Sequence, residues 1–487
     1  MTGTQMVIGQ ELAAAQSGKT FEVINPATEQ AHARVPEAGP EDVDRAVRAA
    51  RRAFDSGPWR KMSAPDRGLL MFRLADRIEA HRDELARLDT EDMGKPYTHS
   101  RQHDVSSAVA FLRFYAGFCD KIRGSQIPCG PDKHVYTVRE PVGVVAGIVP
   151  WNFPLVIAMQ KLAPALACGN TVVLKPAEQS PRSALALAEL CLETGFPEGV
   201  VNAVSGGGET GAALAAHPLV DKISFTGSTE VGRKIMHAAA DHIRKVTLEL
   251  GGKTANIVFP DADLDAALAS CLLTSCYNSG QICTTGSRLL LHPAIHDRFL
   301  DALLARLRTL KVGDPMEEDT KMGPLVSKEQ YERVTRYIEI GKQNNLPFYT
   351  GGFRAKPLDR GYYVDPLIFD HVPVDARVAQ EEIFGPVIST IDFRDEDEAV
   401  AYANATSYGL ATAIWTRDLS RAHRLAAAMH SGFVWVNCNH YWVAQIPYEG
   451  HRQSGLGVDM GVEAVESYTR LKNTIVNLDP TPHPWAS

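Results

Sequence analysis

The run Val142-Gly143-Val144-Val145-Ala146-Gly147-Ile148-Val149, continuing as Pro150-Trp151-Asn152-Phe153-Pro154 and Leu155-Val156-Ile157-Ala158-Met159, decides how this chain is read. It is the most apolar stretch present, yet two glycines, Pro150, Asn152 and Pro154 break it. A membrane span broken in this way would leave backbone groups unpaired in lipid. The run therefore reads as a buried strand over Val142–Val149, a turn at Trp151–Pro154 and a helix around Met159–Ala167. Thr171–Leu174 follows as a strand, Lys175–Pro181 as a loop and Ser183–Thr194 as a helix, and Val200–Val204 and Lys222–Phe225 are the next strands. That cadence is what right-handed parallel crossovers require, and the fold class is α/β.

Working outward, a second α/β block starts near Gly251 and ends at about His430, with helices at Asp263–Cys276 and His296–Leu310. Upstream, Pro40–Ala53 reads as a helix with Glu41 and Asp42 in its first turn and Arg48, Arg51 and Arg52 near its end, as the helix dipole prefers. Another helix is expected from about Ala64 through Leu88, with Leu69, Leu70, Phe72, Leu74 and Ile78 near helical spacing. The tail from Tyr468 to Leu478 alternates as a strand. A lone exposed strand is a liability, so it is expected to pair with another lobe or subunit.

At 487 residues the chain exceeds one ordinary core, and two to four lobes are expected. A net charge of −8 with no long Lys/Arg run argues against a nucleic-acid surface. Met1 to Gln16 lacks the charged-then-apolar pattern of a secretory signal, so a cytoplasmic protein is expected, with no membrane partner. The eight cysteines include no CxxC pair and do not join histidines at zinc spacing, which reads as reduced thiols and no metal.

Three residues raise chemical questions. Cys283 lies in Tyr277-Asn278-Ser279-Gly280-Gln281-Ile282-Cys283-Thr284-Thr285-Gly286-Ser287-Arg288, a segment of small residues after an apolar helix. Such a turn exposes a sulfur beside backbone N–H groups, although most cysteines are plain buried thiols. Glu249 stands in an apolar strand with Val246, Leu248 and Leu250, ahead of Gly251-Gly252. There its pKa should rise, as a general base working near neutrality needs, unless it points to solvent from an edge strand. Asn152 either donates its amide to an oxyanion or closes the turn before Phe153-Pro154.

Six stretches, in order, settle which reading to pursue: Pro150-Trp151-Asn152-Phe153-Pro154; Lys175-Pro176-Ala177-Glu178; Phe225-Thr226-Gly227-Ser228; Glu249-Leu250-Gly251-Gly252-Lys253; Gly280-Gln281-Ile282-Cys283; and Glu382-Ile383-Phe384-Gly385-Pro386. Over essentially its whole length the chain resembles the aldehyde dehydrogenase superfamily of the NAD(P)-dependent, hydrolytic kind. The resemblance implies a Rossmann-like cofactor domain (residues 1–118 and 142–250), an α/β catalytic domain (251–430) and a small β oligomerisation extension (119–141 and 466–487). Residues 431–465 would return to line the substrate tunnel, and the assembly would be a homodimer or homotetramer.

The resemblance further implies that Cys283 is the nucleophile that forms a thioester with an aldehyde, and Glu249 the base for the hydrolytic water. Asn152 and the Cys283 backbone N–H would form the oxyanion hole, with Lys161 tuning the site. Trp151, Lys175, Glu178, Gly208, Phe225, Thr226, Gly227, Ser228, Leu250, Glu382 and Phe384 would meet the cofactor. Within that set, Lys175 and Glu178 would hold the adenosine ribose, Glu382 the nicotinamide ribose, and Phe384 would pack near the nicotinamide end.

Gly206-Gly207-Gly208-Glu209-Thr210-Gly211 also fits G-x-G-x-x-G, but a lone match is weak. The main phosphate contact is expected at Phe225–Ser228, where Ser228 caps a helix from Thr229. Glu178 would repel a 2′-phosphate, which favours NAD while leaving NADP open. Phe153, Val156, Ile157, Gln160, Tyr277, Ile282, Thr284, His440, Tyr441 and Trp442 would wall a tunnel suited to apolar or aromatic aldehydes. Where the family usually continues Pro-Phe-Gly-Gly, this chain has Pro447-Tyr448-Glu449-Gly450, and Val458 stands where a basic residue is common. A CoA-acylating relative is the alternative enzyme, and such enzymes generally lack a carboxylate at the position of Glu249. A non-catalytic protein that kept the fold is the alternative outside enzymes.

Overall fold

Val144–Ile148 (β1) forms the centre of the first sheet, with all five residues buried. Thr171–Lys175 (β2) and then Val201–Ala203 (β3) lie on one side of it. Lys222–Thr226 (β4) and Lys245–Glu249 (β5) lie on the other, and all five strands are parallel. The spatial order 3-2-1-4-5 means that the chain winds outward to β3, then returns across β1 to start β4. Connections leaving β1 and β4 diverge, and this opens a crevice beyond the carboxyl ends of the strands, where open α/β sheets bind ligands. Short strands Met6–Ile8 and Glu11–Ala13 extend the β3 edge, and Gly455–Leu456 pairs antiparallel with β5. These coordinates are a computed structural model that describes residues 2–354, 358–480 and 485. Met1, three residues of the second α/β block (355–357) and the tail positions 481–484 and 486–487 of the expected β extension lie outside the described residues.

The helix after β1, Pro154–Ala167 (α1), starts five residues before the expected Met159, at Pro154 itself. Proline suits the first helical position because its φ is preset and its missing N–H is not needed there. Every α1 residue except Gln160 is buried, so apolar periodicity could not mark the start. The single helix expected over Ala64–Leu88 is instead two, Ala64–Ala80 and Arg82–Met93, broken at His81 (φ −102°, ψ 21°). Asp83 and Glu84 fall in the first turn of the second helix, a start signal that the apolar spacing masks.

The second sheet comprises Ala255–Val258 (β6), Arg288–Leu291 (β7), Phe348–Thr350 (β8), Leu367–Phe369 (β9), Val387–Asp392 (β10), Ala411–Trp415 (β11) and Phe433–Val436 (β12). Its order is β8-β9-β10-β7-β6-β11-β12, so the block runs past His430. Thr469–Asn477 (β13) pairs along its whole length with Lys133–Pro141, which also holds Gln126–Ile127. The tail therefore finds its partner within the chain, while its outer edge stays open with Leu471, Ile475 and Val476 exposed. Among the described residues, no helix is long and apolar enough to cross a membrane.

The fold also gathers His296, His371 and Asp392, three residues of metal-ligating type that no sequence spacing connects. His296 lies 2.6 Å from Asp392 through Nδ1 and 2.9 Å from Asp370 through Nε2, and His371 Nδ1 meets the other Asp392 oxygen at 2.6 Å. The hydrogen bond that His296 donates to the Asp370 carboxylate raises the proton affinity of the imidazole. The cluster thus satisfies itself as an ion network.

Fully buried Asn170 ties the start of β1 to the end of α1 and to the tail. Its Oδ1 accepts from Gly143 N–H at 2.9 Å, and its Nδ2 donates to the carbonyls of Ala165 (3.1 Å) and Tyr468 (3.0 Å). Asn170→Ala is expected to destabilise the protein by about 2–4 kcal/mol, read as a lowered thermal inactivation midpoint.

Candidate active site

Cys283 follows a turn of uncommon backbone conformation. Leu264–Cys276 (α4) is capped by Asp263, whose carboxylate accepts from Ala266 N–H at 3.1 Å. Beyond it Asn278, Ser279 and Gly280 are left-handed in succession, with φ of 51°, 56° and 72°. Two adjacent non-glycine residues there are costly and persist only when neighbours hold them. Asn278 Nδ2 donates to Asn152 O at 2.9 Å, Ser279 Oγ to Gly323 O at 2.8 Å, and Gln281 Nε2 back to Asn278 O at 3.0 Å.

The turn delivers Cys283 to the wall of two cavities at once. One, of about 50 Å³, is lined by Phe153, Val156, Ile157, Gln160, Ile282, Thr284, His440, Trp442, Tyr448 and Glu249. The other, of about 200 Å³, is lined by Trp151, Gly227, Ser228, Gly251, Gln330, Arg333, Glu382 and Phe384. Asn152, Ile157, Thr226, Leu250 and Cys283 belong to both, so the sulfur stands where the cavities meet. Tyr448 Oη is 3.3 Å from Sγ. Burial pushes the thiol up to about 11, opposed by the Tyr448 hydroxyl and the Thr284 N–H.

Glu249 ends β5 with 5% exposure, and neither carboxylate oxygen has a hydrogen-bond partner among the described residues. It is not on a solvent face. Burial, helped by Asp459, raises its carboxyl well above the ordinary value, and Lys161 opposes the shift. Lys161 lies outside both cavities, buried on α1 and ion-paired with Asp459, so it acts on Glu249 through its charge. Asn152, also buried, donates from Nδ2 to Gln281 O at 2.9 Å.

The two glycines after Glu249 are explained by close approach. A Cβ on Gly251 would lie 2.3 Å from Glu382 Oε2, and one on Gly252 would lie 2.6 Å from the Cys283 carbonyl oxygen. Gly252 N–H donates to Glu382 Oε1 at 3.1 Å, and burial raises the Glu382 carboxyl to about 7. Phe384, left-handed at φ 63°, sets its ring edge-on to Trp151 at 5.3 Å.

Ser228 caps Thr229–Ala240 (α3), accepting from Val231 N–H at 3.3 Å, so the positive end of the helix dipole faces the larger cavity. Thr226 Oγ1 is buried without a hydrogen-bond partner among the described residues and lines both cavities. An anion-binding helix end, an unpartnered hydroxyl and a buried carboxylate at the switch point of a 3-2-1-4-5 sheet fit a dinucleotide.

The aldehyde dehydrogenase family model matches residues 13–474. The chain belongs to that family. This aldehyde dehydrogenase is 46% identical over 477 residues to the mitochondrial aldehyde dehydrogenase of Homo sapiens, covering 97% of this chain and 92% of that one. It is 43% identical over 476 residues to the mitochondrial benzaldehyde dehydrogenase of Antirrhinum majus, covering 97% and 89%. The NAD+ complex structure of aldehyde dehydrogenase from Bacillus cereus matches with a TM-score of 0.95 at 46% identity, covering 98% and 97%. The enzyme oxidises aldehydes with NAD.

Several expected site residues lie away from the two cavities. Lys175, the last residue of β2, and Glu178 come together, 3.6 Å apart. Gly208 opens the helix Gly208–Ala216 (α2), where the glycine-rich turn also serves packing: a Cβ on Gly206 would strike Thr210, which is tied to Ala38 O. The Phe225 ring is turned into the core beneath Gly227, and this leaves only its backbone on that loop. Tyr277 stands behind the tunnel wall, stacked on His99 at 4.7 Å and on Phe153 at 6.4 Å. Tyr441 is 59% exposed because the chain turns outward past left-handed His440.

Sequence reasoning missed Tyr448, Gln330 and Arg333. The signal for Tyr448 was present, since a hydroxyl stands where the family has phenylalanine. Gln330 and Arg333 lie on Lys328–Gln343 (α5) and donate to the carbonyls of Phe384 (2.7 Å) and Glu382 (2.5 Å). An ordinary amphipathic helix carries no mark of such a task. Gly252→Ala is expected to displace the Cys283 backbone and lower kcat/KM by about 100-fold with the fold retained, measured by NADH formation and circular dichroism.

Proposed function

We propose that the enzyme carries an aldehyde through a thioester on Cys283, which water activated by Glu249 then hydrolyses. One observation carries this reading: Cys283 stands at the junction of two cavities, one walled by apolar side chains and an unpartnered buried carboxylate, the other fitted to a dinucleotide. The thiolate adds to the carbonyl carbon, and the oxygen becomes an oxyanion. The Asn152 amide and the Cys283 N–H stabilise it, and each donor of this kind is worth roughly 3 kcal/mol. Glu382, Ser228, Thr226 and Trp151 would hold the dinucleotide, with Lys175 and Glu178 at its adenosine end. When bound, it supplies the acceptor for the hydride that leaves this carbon as the oxyanion collapses to the thioester. Glu249 takes a proton from water, the hydroxide attacks the thioester carbon, and the thiolate departs as the acid is released.

Hydrolysis rather than transfer to CoA is supported by the carboxylate itself, which CoA-acylating relatives generally lack. Glu178 supports NAD over NADP. For substrate, Phe153, Val156, Ile157, Ile282 and Trp442 favour an apolar or aromatic aldehyde. Burial holds His440 down at about 4, which makes it a neutral hydrogen-bonding group. The exposed outer edge of β13 supports assembly into a homodimer or homotetramer.

Cys283→Ala is expected to abolish NADH formation while NAD binding persists; full activity would overturn the proposal. Glu249 must lose its proton to act, and its carboxyl is raised. The acid limb of kcat should therefore lie above the ordinary carboxylate range, with activity rising as pH rises through it. Glu249→Gln should remove that limb and slow turnover about 10²- to 10⁴-fold. In a panel of aliphatic, aromatic, amino- and hydroxy-aldehydes and semialdehydes, the highest kcat/KM should fall to benzaldehyde-like or apolar members. Preference for a charged member would refute the substrate assignment.

A further inference from the structure

The charges that act most on the Cys283 sulfur are Glu382 and Glu249, and both oppose a thiolate. Arg333 lines the larger cavity, but its guanidinium donates to the Glu382 backbone. Behind the sulfur, Lys161 is committed to Asp459, Glu449 acts on Glu249, and buried His440 is neutral. What favours a negative sulfur is a pair of neutral donors, the Thr284 N–H and the Tyr448 hydroxyl.

Resting on the thioester reading above, we propose that Tyr448 is a catalytic residue whose hydroxyl donates a hydrogen bond to the Cys283 sulfur whenever that sulfur is anionic. Its position is fixed from both sides. Tyr448 N–H donates to Asp459 O at 2.7 Å, Asp459 N–H donates to Tyr448 O at 2.9 Å, and the ring packs on Phe433 at 4.7 Å. Burial, the neighbouring thiol and Glu249 push the phenol well above its ordinary value, so it keeps the proton it must donate. A thiol is a weak donor and a thiolate a strong acceptor, so the bond strengthens as charge develops. The sulfur is anionic twice in the cycle, before it adds to the carbonyl and again when it leaves the thioester carbon. Tyr448 serves both moments, and in between the sulfur is covalently bonded and neutral.

The test is the pH dependence of Cys283 alkylation by iodoacetamide in the full-length enzyme without aldehyde. Peptide mass mapping separates Cys283 from the exposed Cys129 and Cys438. Tyr448→Phe removes only the hydroxyl, and Tyr448→Leu repeats the comparison independently of ring packing. Both variants should alkylate at Cys283 roughly 3- to 10-fold slower at every pH from 7 to 9, because less of the sulfur is thiolate. Both substitutions remove atoms beside the sulfur, so a change of access alone would speed the reaction. A Cys283 rate that is unchanged or faster in either variant overturns the proposal. Alkylation needs no turnover, so this outcome is independent of Cys283→Ala, which tests the thioester reading itself.

Discussion

The backbone at Gly251 and Gly252 passes within contact distance of two other segments, the Glu382 carboxylate on one side and the Cys283 carbonyl on the other. No side chain fits at either position. That double approach locks the end of the first sheet, the Cys283 loop and the Glu382–Phe384 loop into one unit. Ser454 secures it from behind: its hydroxyl donates to Gly251 O at 2.7 Å and its carbonyl accepts from Leu250 N–H at 2.8 Å. Fixed donors and charges of this kind cost no reorganisation when charge moves in a reaction, the main way a protein site lowers a barrier.

Desolvation sets the electrostatic character of this unit. Glu249, Glu382 and Cys283 are all pushed toward their neutral forms by burial. Lys161, the cation that acts on Glu249, is paired with Asp459 and bears on it from outside the cavities. A carboxylate poised in this way accepts a proton near neutrality, whereas in water it would be too weak a base.

Much of this was legible in the sequence, and what was not has identifiable causes. The parallel strands of the first sheet follow from short apolar runs at crossover spacing, although their 3-2-1-4-5 order does not, and Cys283, Glu249 and Asn152 stand in motifs that survive as motifs in the fold. Apolar patterning did not reveal the start of α1, because a helix buried on all sides has no stripe to read. It also missed the break at His81, where capping chemistry outweighs periodicity. Long-range meetings were beyond it altogether: the Tyr448 hydroxyl against a sulfur 165 residues away, and α5 side chains bracing the carbonyls of another loop. Nor could the backbone positions of Lys175, Glu178 and Gly208 tell whether they share a cavity with Cys283 or line the crevice farther out.

The left-handed turn at Asn278-Ser279-Gly280 carries a consequence for selectivity. Its conformational cost is met when the chain folds, so no loop must order itself around an incoming aldehyde. Discrimination then rests on how well the guest's shape and dryness match a finished wall. On the reading proposed above, such a wall would admit apolar guests of many shapes and turn away charged ones.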